Sequence, residues 1–134
     1  ADPAIKVKLL SDTLAEEARI YNSLPRSFTD SLKIVMDWKG VNYTELSNRT
    51  MLSDKQISRI ASGESKGTIN SIVLICLGLH LPPDISSHII ETSQCSFDFK
   101  NDSHIMYNFI LKHHYVKSMD EIRAFLMQNC IDPL

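Results

Sequence analysis

No run of about 18 consecutive apolar residues occurs in this 134-residue chain, so no membrane-spanning helix and no membrane partner are expected. The four glycines, Gly40, Gly63, Gly67 and Gly78, are too scattered to form a Gly-rich phosphate loop. Neither Gly-x-Ser-x-Gly nor His-Glu-x-x-His occurs, which removes the usual patterns for a nucleotide site, an acyl-enzyme and a zinc protease. Serines and aspartates are plentiful, yet no spacing singles out a nucleophile with its base. No enzyme and no cofactor are expected. Three cysteines, Cys76, Cys95 and Cys130, are an odd number without Cys-x-x-Cys spacing, so they read as reduced thiols in a cytoplasmic protein. His113 and His114, with His104 and Cys130, raise the question of a metal. Adjacent helical residues diverge by about 100 degrees, so no metal site is expected.

Charge of one sign is also lacking. The formal net charge is −2 and the pI is near 6.2, which opposes broad nucleic-acid affinity but leaves room for a local basic patch. Length and composition are those of an ordinary soluble globular protein with one real core. The chain begins Ala1-Asp2-Pro3, with no initiator Met and no apolar signal core; a cloning remnant and the cut edge of a longer protein both fit.

What is present is helical periodicity almost throughout, so the expected fold class is all-α, with no sheet of consequence. From Ile5 to about Ser23, the residues Ile5, Leu9, Leu10, Leu14, Ala18 and Tyr21 recur at helical spacing. That helix fits a dimerisation arm, an interdomain connector or packing on its own domain. Ser27 to Lys39 carries Phe28, Leu32, Val35 and Met36 on one face, with Gly40 as a stop. Trp38 lies off that stripe, and partly buried packing is expected of it rather than a partner-facing role. Thr68 to His80 is apolar nearly all round, so it should be buried on several sides. Gly78 would permit close approach there, and Pro82-Pro83 forbids continuation. Three further helices are expected: Asp84 to Thr92; about Ser103 to Tyr115, with Ile105, Met106, Phe109 and Ile110 as apolar positions; and Met119 to Asn129, with a Ser118/Glu121 capping box and an apolar face of Ile122, Phe125 and Leu126. Phe97 and Phe99 alternate in the link from Gln94 to Asp102, which suits a short extended segment or two rings under a loop.

The stretch from Asn42 to Gly63 is the one that points to a function. Asn42 with Glu45, and Ser53 with Gln56, each have the spacing of a capping box, which places two short helices on either side of a tight turn. Gly63 ends the second. Leu46, Thr50, Leu52, Ile57 and Ile60 are the positions for mutual packing, and Ser47 is small where the helices must approach. Asp54, Lys55, Ser58, Arg59 and Ser62 are left facing outward. A short helix with a polar, partly basic outer face is a geometry that can enter a DNA major groove.

This pattern resembles the helix-turn-helix domain of the phage repressor/Cro type, the XRE family. Leu46-Ser47 fits the family's Leu-Ala pair, Ser53-Asp54-Lys55-Gln56-Ile57-Ser58-Arg59-Ile60 fits its recognition helix, and Gly63 fits the glycine that follows. The resemblance runs from Phe28 to about Pro83. Thr68-Ile69-Asn70-Ser71 corresponds to the start of a fourth helix, and Ile75 to Leu81 to the closing one. It implies a five-helix repressor-like domain over 27–83, preceded by a helix or connector over 1–26 and followed by a helical extension over 84–134 packed on it. It also implies double-stranded DNA as the partner. Lys55 and Arg59 would reach base edges, Asn42, Ser53 and Lys66 would position phosphates, and Tyr43, Asp54 and Ser58 would share the face. Such domains commonly work as homodimers on two half-sites.

Two positions depart from the family pattern. Met51 stands where a turn glycine is common, and a left-handed backbone there costs a non-Gly residue on the order of 1–2 kcal/mol. Asp54 places a negative charge at the groove-facing helix start, which favours the helix dipole but opposes phosphate. A second reading is therefore a helical protein-interaction module or the C-terminal part of a larger protein, a degenerate helix-turn-helix scaffold whose outer helix meets a protein partner or is not used at all, with the C-terminal extension as a further surface for a protein partner.

Overall fold

Short polar side chains placed just ahead of apolar-periodic runs decide where most of the helices begin. The computed structural model describes residues 2–134; Ala1, where the expected remnant or cut edge starts, lies outside the described residues. The described residues form eight helices and no strand: α1 Pro3–Ser23, α2 Phe28–Lys39, α3 Tyr43–Thr50, α4 Asp54–Ser62, α5 Ile69–Gly78, α6 Pro83–Ser93, α7 Asp102–His113 and α8 Met119–Gln128. Asp2, Ser27, Asn42, Ser53, Thr68, Asn101 and Ser118 each accept a backbone N–H of the helix they precede, satisfying donors that have no partner within the helix. Helix α6 starts instead on Pro83 after Pro82, where a missing N–H costs nothing and the ring presets φ. The Ser53/Gln56 and Ser118/Glu121 capping boxes both form in full. The Asn42 box closes by half: Asn42 accepts from Glu45 N at 2.8 Å, but the Glu45 carboxylate takes Arg49 at 2.8 Å instead.

Helix α5 is the centre of the molecule. Every residue from Ser71 to Gly78 is buried, and α3, α6 and α7 pack against it. The core continues through Leu32, Val35 and Met36 of α2, Leu46 of α3, Ile57 and Ile60 of α4, Ile85 and Ile89 of α6, Tyr107 and Ile110 of α7, and Ile122 and Leu126 of α8. One apolar cluster thus spans both sides of position 83. Gly78 is where α3 comes closest: a Cβ built there would lie 2.9 Å from both Leu46 Cδ1 and Thr50 Cγ2. Arg49 closes the same contact from outside, its Nη1 donating to the Gly78 carbonyl at 2.8 Å. Arg123 of α8 then donates to the Arg49 carbonyl at 3.2 Å, so α3, α5 and α8 are tied at one corner.

The buried face of α7 differs from the expected one. Ile105 and Phe109 stay 47% and 43% exposed, while Ser103, Tyr107, Ile110 and Leu111 are buried. The cause is the C-terminal segment, which returns across that face. The Tyr107 hydroxyl donates to the Asp132 carbonyl at 2.6 Å and the Ser103 hydroxyl to the Asp132 carboxylate at 3.1 Å. Phe109 instead joins His113, His114 and, through His114, Phe125 in an aromatic group at the surface. In the link before α7, Phe97 packs against the core but Phe99 is 61% exposed, so one ring tucks in rather than two.

Helix α1 departs furthest from packing on its own domain. Its only buried residue is Ile20, which lies outside the stripe read from the sequence. Ile5, Leu9, Leu10, Leu14 and Tyr21 all remain exposed. The C-terminal end is held by a Tyr21 edge-to-face contact with His88 and by the Trp38 indole N–H, which donates to Glu16 at 3.0 Å. Trp38 itself is half-buried against the core.

Two outcomes follow from the close approach and burial around α5. Gly78→Ala forces Leu46 and Thr50 aside and should destabilise the fold by about 1–3 kcal/mol, the usual range for overpacking, measured by chemical denaturation. Burial pushes the Cys76 thiol up to about 12, whereas Cys130 is exposed and Cys95 half-buried. A thiol reagent added to the folded protein should therefore modify Cys130 first, Cys95 more slowly, and Cys76 only on unfolding.

Candidate functional site

The site is built on α3, α4 and the turn between them. Residues 51 to 53 make that turn, and three hydroxyls shape it. The Ser47 hydroxyl donates to the Leu52 carbonyl at 2.6 Å, Thr50 accepts from Leu52 N at 3.2 Å while donating to the Leu46 carbonyl, and Ser53 caps α4. Ser47 is therefore more than a small residue at a close approach, because it closes the turn. Met51 adopts the left-handed conformation, φ 65 and ψ 6, with its N–H bonded to the Ser47 carbonyl. Its side chain is 77% exposed, so burial returns nothing for that strained backbone.

Helix α4 has a sharp division between its two sides. Ile57 and Ile60 are its only buried residues, and both join the common core. Asp54, Lys55, Gln56, Ser58, Arg59 and Ser62 are all exposed. Lys55, Ser58, Arg59 and Ser62 recur at three- and four-residue steps, so they form one ridge along the helix. Gly63 ends α4 in the left-handed conformation, φ 81, a geometry that glycine adopts without a Cβ penalty. Lys66 is exposed in the loop beyond it.

The expected site residues all reach the surface, though not in one continuous row. Asn42 and Tyr43 stand at the start of α3, Ser53 through Arg59 on α4, and Lys66 in the following loop. The side-chain oxygens of Asn42 and Ser53 are already engaged in capping. What they leave for an anion is the first-turn backbone N–H groups and the positive end of each helix dipole. Arg59 approaches Glu64 at 4.0 Å, with both side chains largely exposed, so this pair holds the guanidinium only weakly. Asp54 and Glu64 on the same surface nearly balance Lys55, Arg59 and Lys66.

Lys33 was not visible as a site residue from the sequence. It is exposed on α2 and lines a groove of about 730 Å³ together with Asp37, Asn42 and Tyr43, adding a basic group beside the start of α3. Its position nine residues before Asn42, on a separate helix, carries no motif; only a basic residue on the outer face of α2 could have hinted at it. Arg49, by contrast, is spent on Gly78 and Glu45 and is not free for a ligand.

Replacing Met51 with Gly removes the left-handed penalty while giving up little burial. Met51→Gly should raise stability by about 0.5–1 kcal/mol after the extra freedom of glycine in the unfolded chain is counted, seen as a higher denaturation midpoint with an unchanged slope.

No family model, curated protein or solved structure matches the chain.

Proposed function

We propose that the chain is a DNA-binding transcriptional regulator of the repressor/Cro type, with residues 27–83 as its DNA-binding domain and α4 reading a major groove; the expected fourth and closing helices of that domain are the single helix α5, so it holds four helices before α6 begins. The observation that carries this reading is the division of α4: two buried isoleucines hold it against the core, and an unbroken polar ridge bearing Lys55, Ser58, Arg59 and Ser62 is left outside. A groove-entering helix needs this combination, anchored on one side and free of the domain on the other. In this reading Lys55 and Arg59 reach base edges, and Arg59 suits guanine because its paired donors match O6 and N7. The helix starts at Asn42 and Ser53, with Lys66, position the phosphate backbone. Tyr43, Asp54 and Ser58 line the contact. Double-stranded DNA is the partner, two copies occupy two half-sites, and no cofactor or metal takes part. Three free thiols suit a cytoplasmic setting.

A second reading, a protein-interaction module on a degenerate helix-turn-helix scaffold, is favoured by two observations. The charge around α4 is close to balanced, and Met51 projects 77% exposed from the turn. Fluorescence anisotropy with a random duplex of about 30 base pairs, titrated from low to physiological salt, separates the two. The DNA reading expects affinity that falls linearly on a log-log salt plot, with a slope of about −0.9 per neutralised phosphate. No binding even at low salt would leave the interaction module.

On a selected operator, Arg59→Ala should cost about 1–3 kcal/mol and relax specificity at its base pair. Lys66→Ala should weaken specific and random duplexes alike and reduce the salt slope by about 1. Equal losses on both duplexes for Arg59→Ala would remove it from the base edge.

A further inference from the structure

Helix α1 leaves an organised apolar face in water. Val7, Leu10, Leu14 and Tyr21, spaced by three, four and seven residues, fall on one side of a 3.6-residue helix. They are 67%, 61%, 55% and 45% exposed. Leu9 and Ile20 are eleven residues apart, three full turns, so Leu9 lies on the side by which Ile20 enters the protein's own core. Leu9 is 61% exposed because α1 has by then run past that core. Residues 2 to 16 are exposed throughout, and an isolated helix of that length is marginal in water.

The charges on α1 are segregated along its axis. Lys6 and Lys8 lie in the first half, Asp12 stands near the middle, and Glu16 and Glu17 lie in the second half, where the one basic residue, Arg19, stands 4.0 Å from Glu16. This order opposes the helix's own dipole, which rewards acids early and bases late. Lys6 and Glu17 flank the same edge of the Val7/Leu10/Leu14/Tyr21 face. Beside Glu17 the protein adds Asp84 of α6, on the rim of a depression that Leu14, Glu17 and Tyr21 share. A basic tip and an acidic base on one apolar face are complementary to themselves when the helix is reversed.

We infer that α1 pairs with α1 of a second copy of this chain, antiparallel, about a two-fold axis near Asp12. In that register Leu10 of each copy lies beside Leu14 of the other, and Lys6 of each faces the other's Glu17 and Asp84. Leu9 is then turned toward the second copy's body. A parallel pair would set Lys6 against Lys6 and Glu17 against Glu17, which like-charge repulsion disfavours. The contact is isologous, as a closed two-fold dimer requires. A helix about 31 Å long and 10 Å across offers on the order of 500 Å² on half its flank. Two copies would thus bury on the order of 1,000 Å², the lower edge of specific interfaces. The pairing holds whether or not α4 reads DNA.

Sedimentation equilibrium of the full chain tests this between about 1 and 100 µM, a range suited to an interface of this size. The expected result is a monomer–dimer equilibrium that weakens as salt is raised. Leu10→Lys should raise the dissociation constant about tenfold or more by placing a charge at the centre of the interface. Leu10 is too exposed for this change to unfold the chain, and far-UV circular dichroism at low concentration checks that. Lys6→Glu should weaken the dimer about threefold or more, and Lys6→Glu combined with Glu17→Lys should bind more tightly than Lys6→Glu alone, although Asp84 still opposes the carboxylate at position 6. Recovery in the double variant is the specific signature, because Glu17→Lys by itself also meets Lys39, whose charge Glu17 supports within one chain. A monomer at the top concentration would overturn the pairing, leaving the face to a different partner. A dimer indifferent to Leu10→Lys would place the interface elsewhere, and a charge swap that recovers none of the affinity lost in Lys6→Glu would overturn the antiparallel register.

Discussion

Burial of α5 on several sides is the constraint on which the remaining architecture rests. A ten-residue helix that is apolar nearly all round has no face to give to water, so it must be covered by other elements. Helices α3, α6 and α7 do so. The segment after position 83 is therefore part of the fold that holds the candidate site, because it closes a surface that α2 to α4 leave open. The corner at Gly78 shows how closely the two are joined. The last carbonyls of α5 have no partner within the helix; Arg49 takes one of them, and Arg123 of α8 takes the carbonyl of Arg49 in turn.

That support explains how α4 can be short and still well positioned. Two buried isoleucines would hold a nine-residue helix poorly by themselves. The full Ser53/Gln56 capping box, the hydroxyl-closed turn and the Gly63 stop define both of its ends, and on the outer ridge only Ser62 joins in, its hydroxyl donating to the Arg59 carbonyl and accepting from Glu64 N. The strained residue at Met51 is retained in this turn although its side chain contributes little burial, and the chemistry of the ridge is mixed in sign. Electrostatics, more than shape, is therefore what distinguishes the proposed DNA reading of this face from the protein-interaction reading.

Helix α1 presents the opposite case. It has length, a proper N-cap and a continuous apolar face, but its own domain buries one residue of it. A helix of good propensity with nothing to cover it gains little from folding alone, and its reversed charge order adds no help from the dipole. The arrangement becomes more favourable when a further apolar surface covers the face.

Helix ends, the helical fold class and the outward ridge of α4 were legible in the sequence because their causes are local. Ser53, Ser118 and Thr68 act within three residues, Gly63 and Pro83 act on their own backbone, and Lys55 to Ser62 repeat at the helical period. Of the candidate site, surface exposure was legible: Asn42, Tyr43, Ser53, Asp54, Lys55, Ser58, Arg59 and Lys66 are all at the surface, whereas the nearness of Lys33, which arrives from another helix, was not visible. Only the tertiary structure decided which side of α7 is buried, because Ile105, Phe109, Tyr107 and Ile110 offer more than one apolar face and the returning residues 131 to 134 select between them. The same holds for α1, whose stripe could face its own domain or the solvent. A helix's periodicity states which residues share a side; what lies opposite that side is set by chain segments far away in sequence.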